Sequence, residues 1–185
     1  DGTKLEACAN KYTFVWKKSV GKWETKMLQK IQEAVSLLNQ EYIQSFSVTE
    51  ETKTQDLQKI CRFLEQICKE QYTVFVHGRG RRKSRNQKYL ELFCRFLERQ
   101  TIYDWHTASF QGRNNYCKTD PDATFMHMKD DHMRNAQLKP GYNVQIAVDS
   151  EYIVAADIFQ DRNDVWTMVP FLKGMEKRLG FRYPS

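Results

Sequence analysis

The sequence predicts an α/β fold: a sheet-forming core drawn from both ends of the chain, interrupted by a helical insertion of about three helices. Three observations predict it. Between Gly141 and Gly180 the spacing of apolar residues changes from two to about four, the pattern of strand, turn, strand and helix. Between Lys22 and Gln111 the apolar residues recur at three- and four-residue intervals, interrupted only by short polar or glycine-containing stretches. A hairpin followed by one helix cannot bury its own apolar faces, so a further strand is required, and the candidate lies at the start of the chain.

In Asp1 to Ala7, Thr3 and Leu5 alternate with charged neighbours as the end of a strand would, and Tyr12 to Trp16 is β-rich, an aromatic anchor flanked by Lys11, Lys17 and Lys18. From Lys22 a long helix carries the stripe Trp23, Met27, Ile31, Val35, Leu38 and Tyr42. Ser47-Val48-Thr49-Glu50 matches a capping box for a second helix, with Leu57, Ile60, Cys61, Leu64, Ile67 and Cys68 on one side and an end near Gly78. A third helix opens after Ser84, with Tyr89, Phe93, Phe96, Leu97 and Tyr103 at core spacing; short links between the three make a small bundle or arm. Gly112, Asn114-Asn115 and Lys118 to Ala123 read as turn or loop, because Pro121 biases Asp120 away from helix. Tyr142, Val144, Ile146 and Val148 then form the apolar face of a half-buried strand. Asp149-Ser150-Glu151 turns the chain, and Tyr152 to Phe159 follows as a more fully buried strand. Asp164 caps a helix whose core stripe is Val165, Met168, Val169, Leu172, Met175 and Leu179, ended by Gly180. Residues 1–21 are thus the first strand and anchor of the core, 22–111 the insertion with a basic loop at 78–88, and 112–185 the remainder of the core.

Charge is unevenly placed. Of 29 basic and 23 acidic side chains, residues 120–185 hold eight and ten, so the first 119 residues are +8 and the rest −2. The first part is expected to face a polyanion. The five cysteines form no C-x-x-C pair and are odd in number, which points to reduced, mostly buried thiols rather than a disulfide framework or zinc ribbon. No apolar run is long enough to span a bilayer and no signal peptide opens the chain, so a cytoplasmic location is expected.

Three groups of residues have chemical potential. Between Gly78 and Lys88 lie Arg79, Arg81, Arg82, Lys83, Arg85 and Lys88 with no acidic residue, either a phosphate-binding loop or a solvated junction between helices. His127, Asp130, Asp131 and His132 raise a metal site, but histidines five apart do not share a helical face. Asp120 and Asp122 either face a cleft together or organise a turn.

The runs DGTKLEACANKYTFVWKK and TDPDATFMHMKDDHMRNAQLKPGYNVQIAVDSEYIVAADIFQDRNDVWT, with the helical insert between them, resemble bacterial insertion-sequence transposases of the DDE class over nearly the whole chain. The resemblance implies a ribonuclease-H-like mixed sheet core, present in part, and a DNA transposase that cleaves and joins strands by metal-dependent phosphoryl transfer. It makes Asp1, in its Asp-Gly-Thr-Lys context, a catalytic residue and ligand of Mg²⁺ or Mn²⁺. Two such ions need three carboxylates. The second and third would follow Ser185, so the chain is expected to be a fragment, inactive alone. The implied partner is double-stranded DNA, both transposon ends and target, held by the basic loop. A homo-oligomer in the active complex, no membrane, and a bacterial, nucleoid-associated location are implied with it. The alternative is a non-catalytic DNA-binding or oligomerisation fragment of a degenerate transposase.

Overall fold

The computed structural model describes residues 2–78, 80–129 and 136–182, which form two compact units, residues 1–17 with 109–185 and residues 18–108. The fold is mixed α/β with antiparallel sheets, and no described helix is long and apolar enough to cross a membrane.

In the first unit, β1 (Gly2–Glu6) and β2 (Phe14–Trp16) come from the start of the chain. Beyond the helical unit follow β3 (Asn115–Cys117), β4 (Thr124–His127), β5 (Leu138–Asp149), β6 (Tyr152–Phe159) and a helix, Asp164–Leu179. β5 is the central strand. Gly141 pairs with Glu6 of β1 and Thr124 of β4, while Asn143 pairs with Lys4 of β1 and Phe159 of β6. Since a strand has two edges, β1 lies along one edge of β5, and β4 and β6 succeed each other along the other. Ser150 and Glu151, both at positive φ, make the two-residue turn from β5 to β6. β2 and β3 form a separate two-stranded ribbon.

The hairpin buries the face that the alternation marks as polar. Ala147 of β5 packs with Ala155 and Phe159 of β6 against Phe171 and Met175 of the last helix, and Asn143, on the same face, is 0% exposed. On the opposite face Tyr142 packs on Cys117, Ala123 and Phe125, but Val148 and Ile158 are exposed, so the second strand is not the more buried one. The helix corrects the expected stripe too: its buried residues are Thr167, Phe171 and Met175, whereas Val165 (74%), Met168, Val169 and Leu172 are exposed. Apolar residues surround this helix, so periodicity alone does not select the packed face. Its cap is Asn163, whose side chain accepts from Val165 N; Gly180, at φ 76°, closes it. β3 and β4, too short to show a period, flank the Lys118–Ala123 segment read as turn or loop, and β3 takes in Asn115.

The second unit is built from α1 (Lys17–Tyr42, its first residue in the other unit), α2 (Lys53–Glu70) and α3 (Arg85–Phe110); the helix after β6 is α4. Gln100 meets Glu24 at 2.7 Å and Tyr42 meets Asn86 at 2.7 Å, so α1 and α3 run antiparallel. Thr54 bonds Asp104 at 2.6 Å and Gln71 bonds Asn86 at 2.7 Å, which sets α2 antiparallel to α3 and parallel to α1. The link between α1 and α2 must therefore return along the bundle. It is extended rather than short, held by a two-way bond between the Asn39 side chain and the Phe46 backbone and by buried Val48. The expected capping box does not form. Helix α2 starts at Lys53 after Thr52, whose hydroxyl bonds Asp56, and ends at Glu70, well before Gly78. Ile31, Leu38, Leu57, Ile60, Leu64 and Phe93 are fully buried, each contributing about 1.5–3 kcal/mol. Trp23, expected in this core, is 56% exposed.

Two glycines test this packing with opposite signs. A Cβ on Gly141 would stand 2.6 Å from Leu5 O and 2.7 Å from Met128 Cε, so Gly141→Ala is expected to destabilise the β1–β5 pairing by about 1–3 kcal/mol. Gly21, inside α1 with open space around it, should gain about 0.5–1 kcal/mol on substitution by Ala. Amide hydrogen exchange in each unit checks both; protection of β1 unchanged in Gly141→Ala would refute the close approach.

Candidate functional site

The head of β1 is the place the resemblance makes catalytic. Asp1 itself lies outside the described residues. Gly2, next to it, is opposite Gln145 of β5, and the amide of Gln145 lies so close that a Cβ on Gly2 would be 2.5 Å from its Nε2. Gln145 Nε2 donates to Asn143 Oδ1 at 2.9 Å. Asn143 Nδ2 donates to Asp161 O at 3.0 Å and to Asp164 Oδ1 at 2.8 Å. A polar relay thus runs from Gln145, whose amide lies beside Gly2, through Asn143 to the first residue of α4, where a carboxylate is favoured by the helix dipole. Lys129 Nζ donates to the Gly2 carbonyl. The register partner of Gln145 on β6 is a second carboxylate, Asp157, two residues before Phe159, the partner of Asn143. Arg178 holds Asp157 with two bonds of 2.8 and 2.9 Å and keeps its carboxyl below the usual range.

Two divalent ions on a phosphate require three converging carboxylates. Among the described residues no three His, Cys, Asp or Glu side chains converge, and Asp157 and Asp164 are both engaged by protein donors. The described residues therefore do not fit a two-ion centre. His127 is exposed on β4, while Asp130, Asp131 and His132 lie outside the described residues.

The Asp120–Ala123 segment is a turn. Ala123 N donates to Asp120 O and Asp122 N to Asp120 Oδ1, while Tyr142 OH donates to Asp120 Oδ2 at 2.7 Å. Burial, reinforced by Asp120, pushes the Tyr142 phenol up to about 12. The guanidinium of Arg113 ties this turn to the end of α3, donating to the carbonyls of Pro121, Asp122, Ser109 and Phe110. Sequence reasoning missed both Arg113 and the Asn143–Asp164 relay. The signal available for the relay was the pair of amides at Asn143 and Gln145, which alternation assigned to solvent.

The basic loop divides into two kinds of cation. Lys83 pairs with Glu91 at 2.6 Å and Arg85 with Glu41 at 2.5 Å, so both serve the bundle. Arg81, Arg82 and Lys88 are exposed and, among the described residues, make no ion pair; Arg79 lies outside the described residues. The loop is anchored by Gln87, fully buried, whose amide donates to Val76 O at 2.8 Å and accepts from Val76 N at 3.0 Å. Gly78 and Gly80 take positive φ on either side of the first arginine. Elsewhere in this unit the Cys61 and Cys94 sulfurs are 4.0 Å apart, and burial pushes the Cys61 thiol up to about 12, leaving little thiolate for chemistry.

Comparison with protein-family models, curated proteins and solved structures finds no match to this chain.

The division of the loop predicts its salt dependence. Replacing Arg81, Arg82 and Lys88 by Ala should flatten the slope of log K against log salt for duplex DNA by up to about 2.7, roughly 0.9 per phosphate contact, with the melting temperature unchanged. A variant lacking Lys83 and Arg85 should instead lose stability, because Glu41 and Glu91 lose their partners. Equal slopes in the triple variant and the parent would make the loop a solvated junction.

Proposed function

We propose that this chain is the DNA-holding part of a DDE-class DNA transposase, with the start of β1 as the head of its catalytic strand. The observation that carries the reading is the register of β1 on β5. It pairs Gly2, Thr3 and Lys4 with the central strand of an antiparallel order, β1–β5–β6 followed by α4, which supports the portion of a ribonuclease-H-like core that the resemblance implies. The free cations of the basic loop and the positive first part of the chain support double-stranded DNA, at transposon ends and target, as partner. Exposed Val165, Trp166, Met168 and Val169 on α4 support assembly into a homo-oligomer.

In the parent reaction Mg²⁺ or Mn²⁺ would supply Lewis-acid assistance to the attack on a DNA phosphodiester. This chain's own described residues bind and orient the backbone, and Asp1 is the one family carboxylate it contributes. A second reading, DNA binding without catalysis, is favoured by the engagement of Asp157 and Asp164 with protein donors.

The two readings meet in one expectation. The purified chain should bind duplex DNA and leave it intact with Mg²⁺ or Mn²⁺, as gel assays of a labelled duplex would show. Metal-dependent cleavage that disappears in Asp1→Asn would mean that other carboxylates complete the site; an absence of duplex binding would remove the DNA reading altogether.

A further inference from the structure

Along the solvent side of α1 runs a row of lysines that neither the catalytic strand nor the basic loop includes. Lys18, Lys22, Lys26 and Lys30 are spaced four residues apart and all are exposed. Val20, Met27, Ile31, Ala34, Val35 and Leu38 take the buried side of the same helix, so the lysines share the opposite one. None of the four makes an ion pair among the described residues. Of the acidic residues of α1, Glu24 pairs with Lys53 and accepts from Gln100, Glu41 pairs with Arg85, and the exposed Glu33 follows the row on the same face, one turn beyond Lys30.

Two rules of helix stability oppose this arrangement. Like charges four residues apart repel, and the first turn of a helix, here with no acidic residue, disfavours cations because of the helix dipole. A solvated face would be better served by mixed charges. Four unpaired ammonium groups in line are relieved together by a linear array of negative charge. At 1.5 Å rise per residue the row extends about 18 Å in steps of about 6 Å. A DNA strand presents a phosphate every roughly 3.4 Å of axis, so a row of this length spans on the order of five of them.

We infer that this lysine row is a docking surface for the phosphate backbone of duplex DNA, read without regard to sequence. It rests on the DNA-holding reading above and extends it to a second contact on the helical unit. Glu41 of α1 meets Arg85 beside the basic loop, and Lys30 lies eleven residues earlier, about 16 Å along the axis, so the two basic features are separate and can be altered separately. The exposed indole of Trp23, three residues from Lys26 and seven from Lys30, reports on occupancy.

The test uses the full chain and a mixed-sequence duplex across a salt series. The variant Lys18→Gln, Lys22→Gln, Lys26→Gln, Lys30→Gln should reduce the salt slope by up to about 3.6 and weaken binding on the order of tenfold or more, while the corresponding four Lys→Arg changes preserve both. Circular dichroism should show the Gln variant as helical as the parent, since Gln and Lys have similar helix propensity. Parent-like slope and affinity in the folded Gln variant, with binding lost in the Arg81, Arg82, Lys88 variant, would overturn the row and leave the DNA reading standing. No duplex binding by the parent would overturn both. Loss of binding to phosphatidylserine vesicles with duplex binding intact would overturn it in favour of an anionic membrane surface.

Discussion

The sheet-bearing unit depends on one buried amide. Asn143 is wholly inside, and its two N–H groups and its carbonyl oxygen each have a partner, Asp161 O, Asp164 Oδ1 and Gln145 Nε2. An amide in that position without partners would cost several kcal/mol, so the start of α4 must return to β5 at this one residue. The same requirement sets the register. A slip of one residue would bring Tyr142 or Val144 against Asp164 and leave its carboxylate facing an apolar side chain. With the register set, Gly2 falls opposite Gln145, and the head of the first strand is placed.

The helical unit also relies on buried amides. Gln100, fully buried, donates to Glu24 on α1 at 2.7 Å and to Asp104 on its own helix at 2.8 Å, while Lys53 and Thr54 at the start of α2 bind the same two carboxylates. Gln87 does the equivalent for the segment leading into the basic loop. Apolar residues supply the driving force in both units; the amides decide which of the sterically similar alignments is adopted. Lys83 and Arg85 belong to this framework, which is why composition alone overstates the charge that the loop offers to a ligand.

Much of the architecture was legible from spacing. The three long helices follow from a period near four, the hairpin from its turn residues, and the end of α4 from Gly180. The faces were not legible. Alternation in Tyr142–Val148 reveals two sides without saying which one a helix will cover, and here α4 covers the side bearing Asn143, Gln145 and Ala147. Ser47 to Glu50 fits a capping box locally, yet the return of the chain along the bundle buries Val48 and delays the helix to Lys53. Trp23 has core spacing but lies at the margin of the α1 stripe and is exposed. For the candidate site, Asp1 came from resemblance and the basic loop from composition. The relay through Asn143 depends on a contact between residues 21 apart in sequence, which no local pattern encodes.

That relay is the claim most directly open to measurement, by a double-mutant cycle on Asn143→Ala and Asp164→Ala read from hydrogen exchange of the β1 and β5 amides. Coupling of about 0.5–3 kcal/mol between the two substitutions, with β1 losing protection in either single variant, is the predicted result. Additive effects within about 0.3 kcal/mol, with β1 still protected when Asn143 is removed, would contradict it.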